Sequence, residues 1–117
     1  MPKSTLVYKI APGTLWREAE AAGVFAGAPV DLADGYIHFS TAAQVRETAA
    51  KHFAGQDGLV LAAIDADRLG AALRYEVSRG GALFPHLYAP LDMAAVVWVK
   101  PLPLGGDGRH LFPELGA

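Results

Sequence analysis

The sequence contains no cysteine, which excludes disulfide bonds, thiolate zinc sites and cysteine nucleophiles. It also lacks an excess of charge of one sign. Ten lysines and arginines stand against twelve aspartates and glutamates, without charge blocks, and the formal net charge is -2. A nucleic-acid-binding or membrane-binding protein with a broad basic face is therefore not expected. RNA stays open as a local ligand, because a small charged cleft is compatible with this balance.

Long apolar runs are missing as well. None approaches the roughly 18 residues that span a membrane, and the opening MPKSTLVYKI lacks the long apolar centre of a signal peptide. We therefore expect a cytoplasmic protein with no membrane partner. The motifs GxGxxG and GxxxxGK[ST] do not occur, so a Rossmann or P-loop nucleotide site is not expected either.

The composition fits one domain over residues 1–117. The 117 residues are 52% hydrophobic, and a chain of this length buries roughly two thirds of its unfolded surface. About five strands and two main helices alternate, followed mostly by strands, which favours a mixed α+β fold over a doubly wound parallel sheet. The predicted strands are 5–10, 36–40, 58–65, 73–77 and 94–102. The continuous apolar run of 58–65 predicts a central strand covered on both faces.

Turn and capping residues set the bounds of the helices. Thr14 is the predicted cap of the first helix, whose Leu15, Ala19 and Ala22 share one face, and Gly23 suits its C-terminal end. Residues 24–35 carry glycine, proline and two aspartates and predict a surface loop.

The second helix has the clearest start signal. Thr41 with Gln44 forms a capping-box pattern, and Gly55 stops the helix. We expect this helix to begin within three residues of His38.

The segment DGYIHFST predicts a polar wall on one strand. Side chains alternate between the two faces of a strand, so Ile37 and Phe39 are expected in the core and Tyr36, His38 and Ser40 on the opposite face. A helix N-terminus just beyond carries free N–H groups, which would suit a small anionic ligand such as a phosphate or carboxylate.

A second chemical segment is LFPHLYAPL, residues 83–91, in which two prolines hold the backbone around His86 and Tyr88. Two histidines beside a phosphate can act as acid and base, because imidazole exchanges protons near neutral pH. A two-histidine phosphodiesterase would need two HxS or HxT motifs; HFS at 38–40 fits and HLY at 86–88 does not. The histidines show no metal-binding spacing, so no metal site is expected.

Structural interpretations of the same residues stay open. His38 would equally be a half-buried histidine bonded to a neighbouring strand, and Tyr88 a rim aromatic. Glu76 alternates with Arg74, as on a solvated strand face, or else belongs to the site.

The motifs VYKI, DGYIHFST, LVLAAID, RYEV and LFPHLYAPL, in this order, resemble a bacterial family known only as domain of unknown function number 952. The resemblance covers about residues 6–101 and leaves 103–117 as a tail. Members typically read YHI in the first strand and FPHIYGPL in the later segment, so Lys9 stands where histidine is common and Ala89 where glycine is common.

That family looks like a distant relative of the ADP-ribosyltransferase fold, which implies a split pair of small sheets around a nucleotide cleft. By motif order, Lys9 would take the ribose-binding place, His38 with Ser40 the second place, and His86 the place of the glutamate that stabilises an oxocarbenium-like transition state. The resemblance implies NAD as a substrate rather than a bound cofactor, but without that carboxylate it supports a nucleotide-like ligand more than NAD cleavage.

Two functions follow as expectations. In the first, the protein is an ADP-ribosyltransferase-like enzyme in which His38 and His86 are catalytic and line the cleft, with Lys9 on the ribose or phosphate and Tyr36 or Tyr88 on a base. In the second, the same cleft, with Ser40 and Glu76 at its edge, is a non-catalytic module that binds a small ligand or a partner protein. The sequence leaves the oligomeric state open.

Overall fold

Eight strands and three α-helices alternate along residues 5–115, the part of the chain that the computed structural model describes. Short 3-10 segments at Ala66–Ala72, Arg79–Gly81 and Met93–Ala95 connect some of them. The strands are β1 Leu6–Pro12, β2 Val24–Phe25, β3 Ile37–His38, β4 Leu59–Asp65, β5 Leu73–Val77, β6 Leu83–Leu87, β7 Leu91–Asp92 and β8 Val96–Leu102. The helices are α1 Gly13–Ala22, α2 Pro29–Asp34 and α3 Val45–His52.

The strands form three small antiparallel sheets. The first has the order β1-β4-β8, the second β3-β6-β5, and β2 with β7 makes a two-stranded ribbon. The predicted α+β class is confirmed, and the run 58–65 is the central strand of its sheet, as predicted.

Both faces of the first sheet are covered, because its side chains alternate between two core clusters. Ala62 and Ile64 of β4 belong to the cluster that includes Trp16 of α1, while Leu61 and Ala63 belong to the cluster under α3. The apolar run of β4 is therefore continuous because both faces of the strand are buried, as the sequence predicts.

The first helix starts differently from the prediction. Pro12, not Thr14, is the N-cap residue, and it makes no side-chain cap bond. The buried stripe is Gly13, Trp16 and Ala19 rather than the predicted one. Trp16 turns inward because Phe25 of the following ribbon offers a ring at 5.4 Å, whereas Ala22 stays exposed.

The predicted loop 24–35 is wrong, since it contains β2 and α2. Pro29 was interpreted as a loop marker, but proline is also favoured at the first position of a helix, where no N–H bond is lost. The Asp31 carboxylate accepts a hydrogen bond from the backbone N–H of Ala28 at 2.7 Å, and Gly35 ends the helix in the left-handed region with φ 88°.

The third helix begins later than predicted. Thr41 N–H donates to the Gln44 side chain at 3.1 Å, which is half of the predicted capping box. Regular helix starts only at Val45, after a turn at 42–44, so α3 does not begin within three residues of His38.

The described residues form one small α+β domain. Residues 1–4 and 116–117 of the predicted domain 1–117, including the start of the segment compared with signal peptides, lie outside the described range. Within residues 5–115, no helix has the length and apolar character to cross a membrane.

Candidate functional site

The register of the second sheet brings the two predicted histidines together. His38 of β3 pairs directly with His86 of β6, and His86 pairs with Arg74 of β5. The two imidazole centroids lie 5.5 Å apart in an edge-on arrangement. The histidines are therefore direct neighbours on adjacent strands of one sheet.

Tyr36 completes a cluster of four rings with these histidines and Tyr88, which we call the ring cluster. The Tyr36 ring lies 4.2 Å from the His86 ring, 4.6 Å from that of His38 and 5.2 Å from that of Tyr88. Burial and the nearby carboxylates of Asp34 and Glu76 raise the pKa of Tyr36, so its hydroxyl stays protonated at neutral pH.

A buried carboxylate, Asp31, holds His38 in place. Its Oδ1 lies 2.6 Å from His38 Nδ1 and also accepts the backbone N–H of His38 at 3.0 Å. The Lys9 ammonium lies 3.0 Å from Oδ1 and 2.9 Å from Oδ2. Asp31 therefore fixes both the backbone and the ring of His38, which directs Nε2 away from the core.

The environment of Asp31 keeps its carboxyl ionised. Burial raises its pKa. The hydrogen bond from His38 and the charge of Lys9 together lower the pKa by a larger amount, so the carboxyl has a pKa of about 2. Burial lowers the pKa of Lys9, and the charge of Asp31 opposes that change. The pair is thus a buried ion pair at the base of the site.

The pKa of Asp31 predicts a loss of stability in acid. Its folded pKa of about 2 lies below the ordinary aspartate pKa of 3.8, so its contribution to stability is complete above about pH 4 and is lost as the pH falls through about 2. A depression of this size is worth about 2 kcal/mol. Urea unfolding at a series of pH values should show this loss in the wild type and in Asp34→Asn but not in Asp31→Asn. Parallel pH profiles of the wild type and Asp31→Asn would contradict the prediction.

A second carboxylate, that of Asp34, contacts the more exposed ring nitrogen of His38. Nε2 lies 2.9 Å from Asp34 Oδ2, in a pair whose side chains are 31% and 47% exposed. Because each ring nitrogen faces a carboxylate oxygen, hydrogen bonding at both nitrogens requires the imidazolium form. Solvent weakens the outer pair, so a ligand can replace Asp34 at Nε2 more easily than it can replace Asp31 at Nδ1.

The Glu76 carboxylate of β5 contacts the Nδ1 atom of His86, as the Asp31 carboxylate contacts that of His38. Its Oε1 lies 2.9 Å from His86 Nδ1 and accepts the Tyr88 hydroxyl at 2.6 Å. The bonds from Tyr88 and His86 lower the pKa of Glu76, and the bond to Glu76 raises that of Tyr88. The Arg74 guanidinium carbon lies 5.1 Å from the centroid of the Tyr88 ring. The neighbouring strand β5 thus places a carboxylate beside His86.

Two predicted residues are turned away from the ring cluster. Lys9 is only 5% exposed, and its ammonium contacts Asp31 and donates to the His38 carbonyl at 3.0 Å. The Lys9 ammonium is therefore buried and already bonded, rather than exposed for the expected contact with ribose or phosphate. Ser40 is buried and bonded to Thr48 of α3 at 2.8 Å. The expected polar wall of β3 consequently contains Tyr36 and His38 but not Ser40, because β3 ends at His38.

A shallow cleft of about 280 Å³ opens beside the ring cluster. Tyr36 and Tyr88 line it together with Asp31, Ala89 and Pro90. The tyrosines, rather than the imidazoles, form its aromatic wall, and His86 is only 4% exposed. A volume of this size suits one planar ring or a small group rather than a whole dinucleotide.

Comparison with known proteins gives the family. The family described as "Protein of unknown function (DUF952)" matches residues 10–99. The chain belongs to the DUF952 family.

Solved structures agree with this assignment. The crystal structure of protein CC0527 from Caulobacter crescentus is 51% identical, with a TM-score of 0.88 over 92% of this chain and 94% of that one. The solution NMR structure of CC0527 is 52% identical, with a TM-score of 0.81 over 89% of this chain and 90% of that one. No curated protein matches significantly.

No metal centre emerges from the described part of this DUF952 chain. Within residues 5–115, no group of three or more histidines, cysteines, aspartates or glutamates is arranged to hold a metal ion. Asp31, Asp34 and Glu76 instead pair with imidazoles.

Sequence reasoning missed Asp31 and Asp34. Both lie in the segment taken as a loop, yet Pro29 at the first helical position and Asp31 two residues on are a helix-start pattern, and Gly35 is a stop. Interpreted as a helix, 29–34 would have placed two carboxylates on an element that leads directly into the histidine strand.

Proposed function

We propose that this DUF952 protein is an ADP-ribosyltransferase-like enzyme that binds NAD or a related nucleotide at the ring cluster. The observation that carries the proposal is the position of Glu76, whose carboxylate accepts hydrogen bonds from His86 and Tyr88 within the same group of rings. It supplies a fixed negative charge beside an aromatic cleft.

Transfer of ADP-ribose needs such a charge. The bond between ribose C1′ and nicotinamide N1 breaks, its electron pair leaves with the nicotinamide, and a nucleophile adds to C1′ and gives up a proton. Positive charge develops on the ribose as the bond breaks, and a preorganised carboxylate stabilises it. Glu76 is held by two donors, so little reorganisation is needed at that moment.

The charges around the cluster favour a cationic ring over a bare anion. Asp31, Asp34 and Glu76 all lie within contact of the histidines, and the ammonium of Lys9 is already paired. We therefore place the nicotinamide ring of NAD in the cleft that Tyr36 and Tyr88 line, where stacking on an aromatic face and nearby carboxylates both stabilise a positively charged ring. Arg74 is the cation left beside Tyr88 for a phosphate.

His38 is the residue that accepts a proton in the proposed reaction. Asp31 orients its Nδ1, and its Nε2 is at the exposed edge of the site. Once a ligand displaces Asp34, a neutral imidazole can accept the proton of the incoming nucleophile at Nε2. His86 is the more enclosed ring and, with Tyr88, positions Glu76.

A non-catalytic binding module is the second candidate. Its support is the pairing already present: both histidines, Glu76 and Asp31 have partners, and Tyr36 packs over the buried His86. A histidine phosphodiesterase loses support, because the hydroxyl of its HxS motif, Ser40, bonds to Thr48 away from the rings.

Calorimetry with NAD, ADP-ribose and a short RNA separates these functions. We expect NAD to bind with a Kd below about 1 mM, ADP-ribose to bind more weakly because it lacks the ring for the tyrosine cleft, and the RNA to give no heat. His38→Ala and Tyr36→Leu should each weaken NAD binding by about tenfold, with thermal melts to confirm folding. His52→Ala, which removes an exposed histidine on α3, is the control and should bind as the wild type does.

Three outcomes are decisive. No heat with any ligand would overturn the nucleotide proposal. Unchanged NAD affinity in both His38→Ala and Tyr36→Leu would remove the ring cluster from the site. NAD binding with no release of nicotinamide would favour the binding module over the enzyme.

A further inference from the structure

A second and larger cavity lies on the opposite side of the first sheet from α1. It has a volume of about 740 Å³ and is bounded by α3 on one side and by the C-terminal segment 107–112 on the other. Its size falls in the range of cavities that hold small organic molecules. The family match ends at residue 99, so one entire wall of this cavity comes from sequence beyond the matched region.

The wall formed by α3 is apolar and consists of small side chains. Ala49 and Ala50 line the cavity on α3, and Ala54 continues the wall just beyond the helix. Alanine at each of these positions leaves open the space that a larger side chain would fill. Phe112 and the exposed Leu111 line the cavity from the C-terminal segment, so the lining of the cavity suits an apolar group.

The C-terminal wall is held by specific hydrogen bonds. Gly105 N–H donates to the Arg109 carbonyl at 2.7 Å, and Leu111 N–H donates to the Pro103 carbonyl at 2.8 Å. His110 Nε2 lies 2.7 Å from the Gln56 carbonyl, to which it donates, and this ties the segment to the loop after α3. These hydrogen bonds fix the position of the C-terminal wall.

The rim of the cavity is cationic. Arg46 and Arg109 both line it, and the Arg46 guanidinium carbon lies 5.4 Å from the centroid of the Phe112 ring. The one acidic residue among the lining, Asp107, accepts the backbone N–H of Arg109 at 3.0 Å. Glu47, next to Arg46 on the helix, is paired with Lys51 at 2.7 Å. Two arginines thus stand beside an apolar lining that is open to solvent.

We propose that this cavity binds a small amphipathic anion, with a carboxylate or phosphate between Arg46 and Arg109 and an apolar chain along the alanines of α3. Arginine recognises both head groups through paired N–H donors. Burial of the chain supplies most of the affinity at about 25 cal/mol per Å² of apolar surface. The site is separate from the ring cluster, and its existence does not depend on the function proposed there.

An NMR titration of the full chain with octanoate, octyl phosphate and octanol tests the proposal. Octanoate or octyl phosphate should shift the amide signals of 46–54 and 107–112, and octanol should bind about tenfold more weakly because it lacks the charge. The stronger of the two anions identifies the preferred head group. Inorganic phosphate alone should bind weakly or not at all.

Two variants and one control make the result specific. Arg46→Gln with Arg109→Gln should weaken octanoate binding by about tenfold or more while leaving octanol binding unchanged. Ala50→Leu should weaken both by filling the cavity, and leucine preserves the helix. Arg17→Gln, an exposed arginine on α1, should change neither. No shift at anion concentrations up to about 10 mM, or binding that is indifferent to Ala50→Leu and to the arginine pair, would overturn the proposal.

Discussion

Asp31→Asn is expected to lower the free energy of unfolding by about 3–5 kcal/mol, because it leaves the buried Lys9 ammonium without a countercharge. Among residues 5–115, the Lys9 ammonium lies within hydrogen-bonding distance of Asp31 and of the His38 carbonyl. Asparagine can still accept one backbone N–H, so the loss comes mainly from the unpaired charge. Urea unfolding followed by circular dichroism measures it.

A double-mutant cycle with Lys9→Met isolates that cause. Removing the ammonium as well should restore a large part of the lost stability, since the double variant no longer buries an unpaired charge. Asp34→Asn is the matched control: it also touches His38 but is exposed, and it should cost less than about 1 kcal/mol. If Asp31→Asn and Asp34→Asn destabilise the protein equally, the buried ion pair is not what holds the base of the site.

Periodicity in the sequence predicts the parts of the fold that depend on local pattern. The apolar run 58–65 identified the central strand, and the alternation of Ile37 with Phe39 correctly assigned both to the core, where they are 2% and 3% exposed. His38 and His86 were picked out by their polar and aromatic surroundings. Their direct pairing depends on the register of β3 with β6, which no local pattern specifies.

The remaining features were set by long-range contacts. Lys9 lies in a strand with apolar residues on both faces, and its partner, Asp31 of α2, lies 22 residues away in the sequence. Ser40 was expected on the polar wall because strict alternation was extended beyond the last residue of β3. Glu76 was ambiguous from its own strand, and its position beside His86 and Tyr88 arises from the pairing of β5 with β6.

Glu76→Gln is expected to have the largest effect on the proposed reaction. Glutamine keeps the shape and can still accept the Tyr88 hydroxyl, but it removes the negative charge beside the developing positive charge on ribose. The rate of nicotinamide release should fall by about 10²–10³-fold. NAD affinity should change by less than the rate, because the charge acts mainly in the transition state.

Two observations distinguish this effect from damage to the fold. Glu76 is partly exposed, with a side chain 36% accessible, so Glu76→Gln should melt within a few degrees of the wild type. Glu47→Gln removes a carboxylate from an exposed ion pair on α3 and should leave the rate unchanged. A similar loss of rate in both variants would point to a general charge effect rather than to Glu76.

The most direct measurement is the release of nicotinamide from NAD by the wild-type protein and by Glu76→Gln side by side, at saturating NAD. The position of Glu76 between His86 and Tyr88 predicts measurable release by the wild type and a loss of about a hundredfold or more in the variant. Absence of release by a wild-type protein that is folded and bound to NAD, or equal rates in the two proteins, would contradict the assignment of the ring cluster as a transferase site.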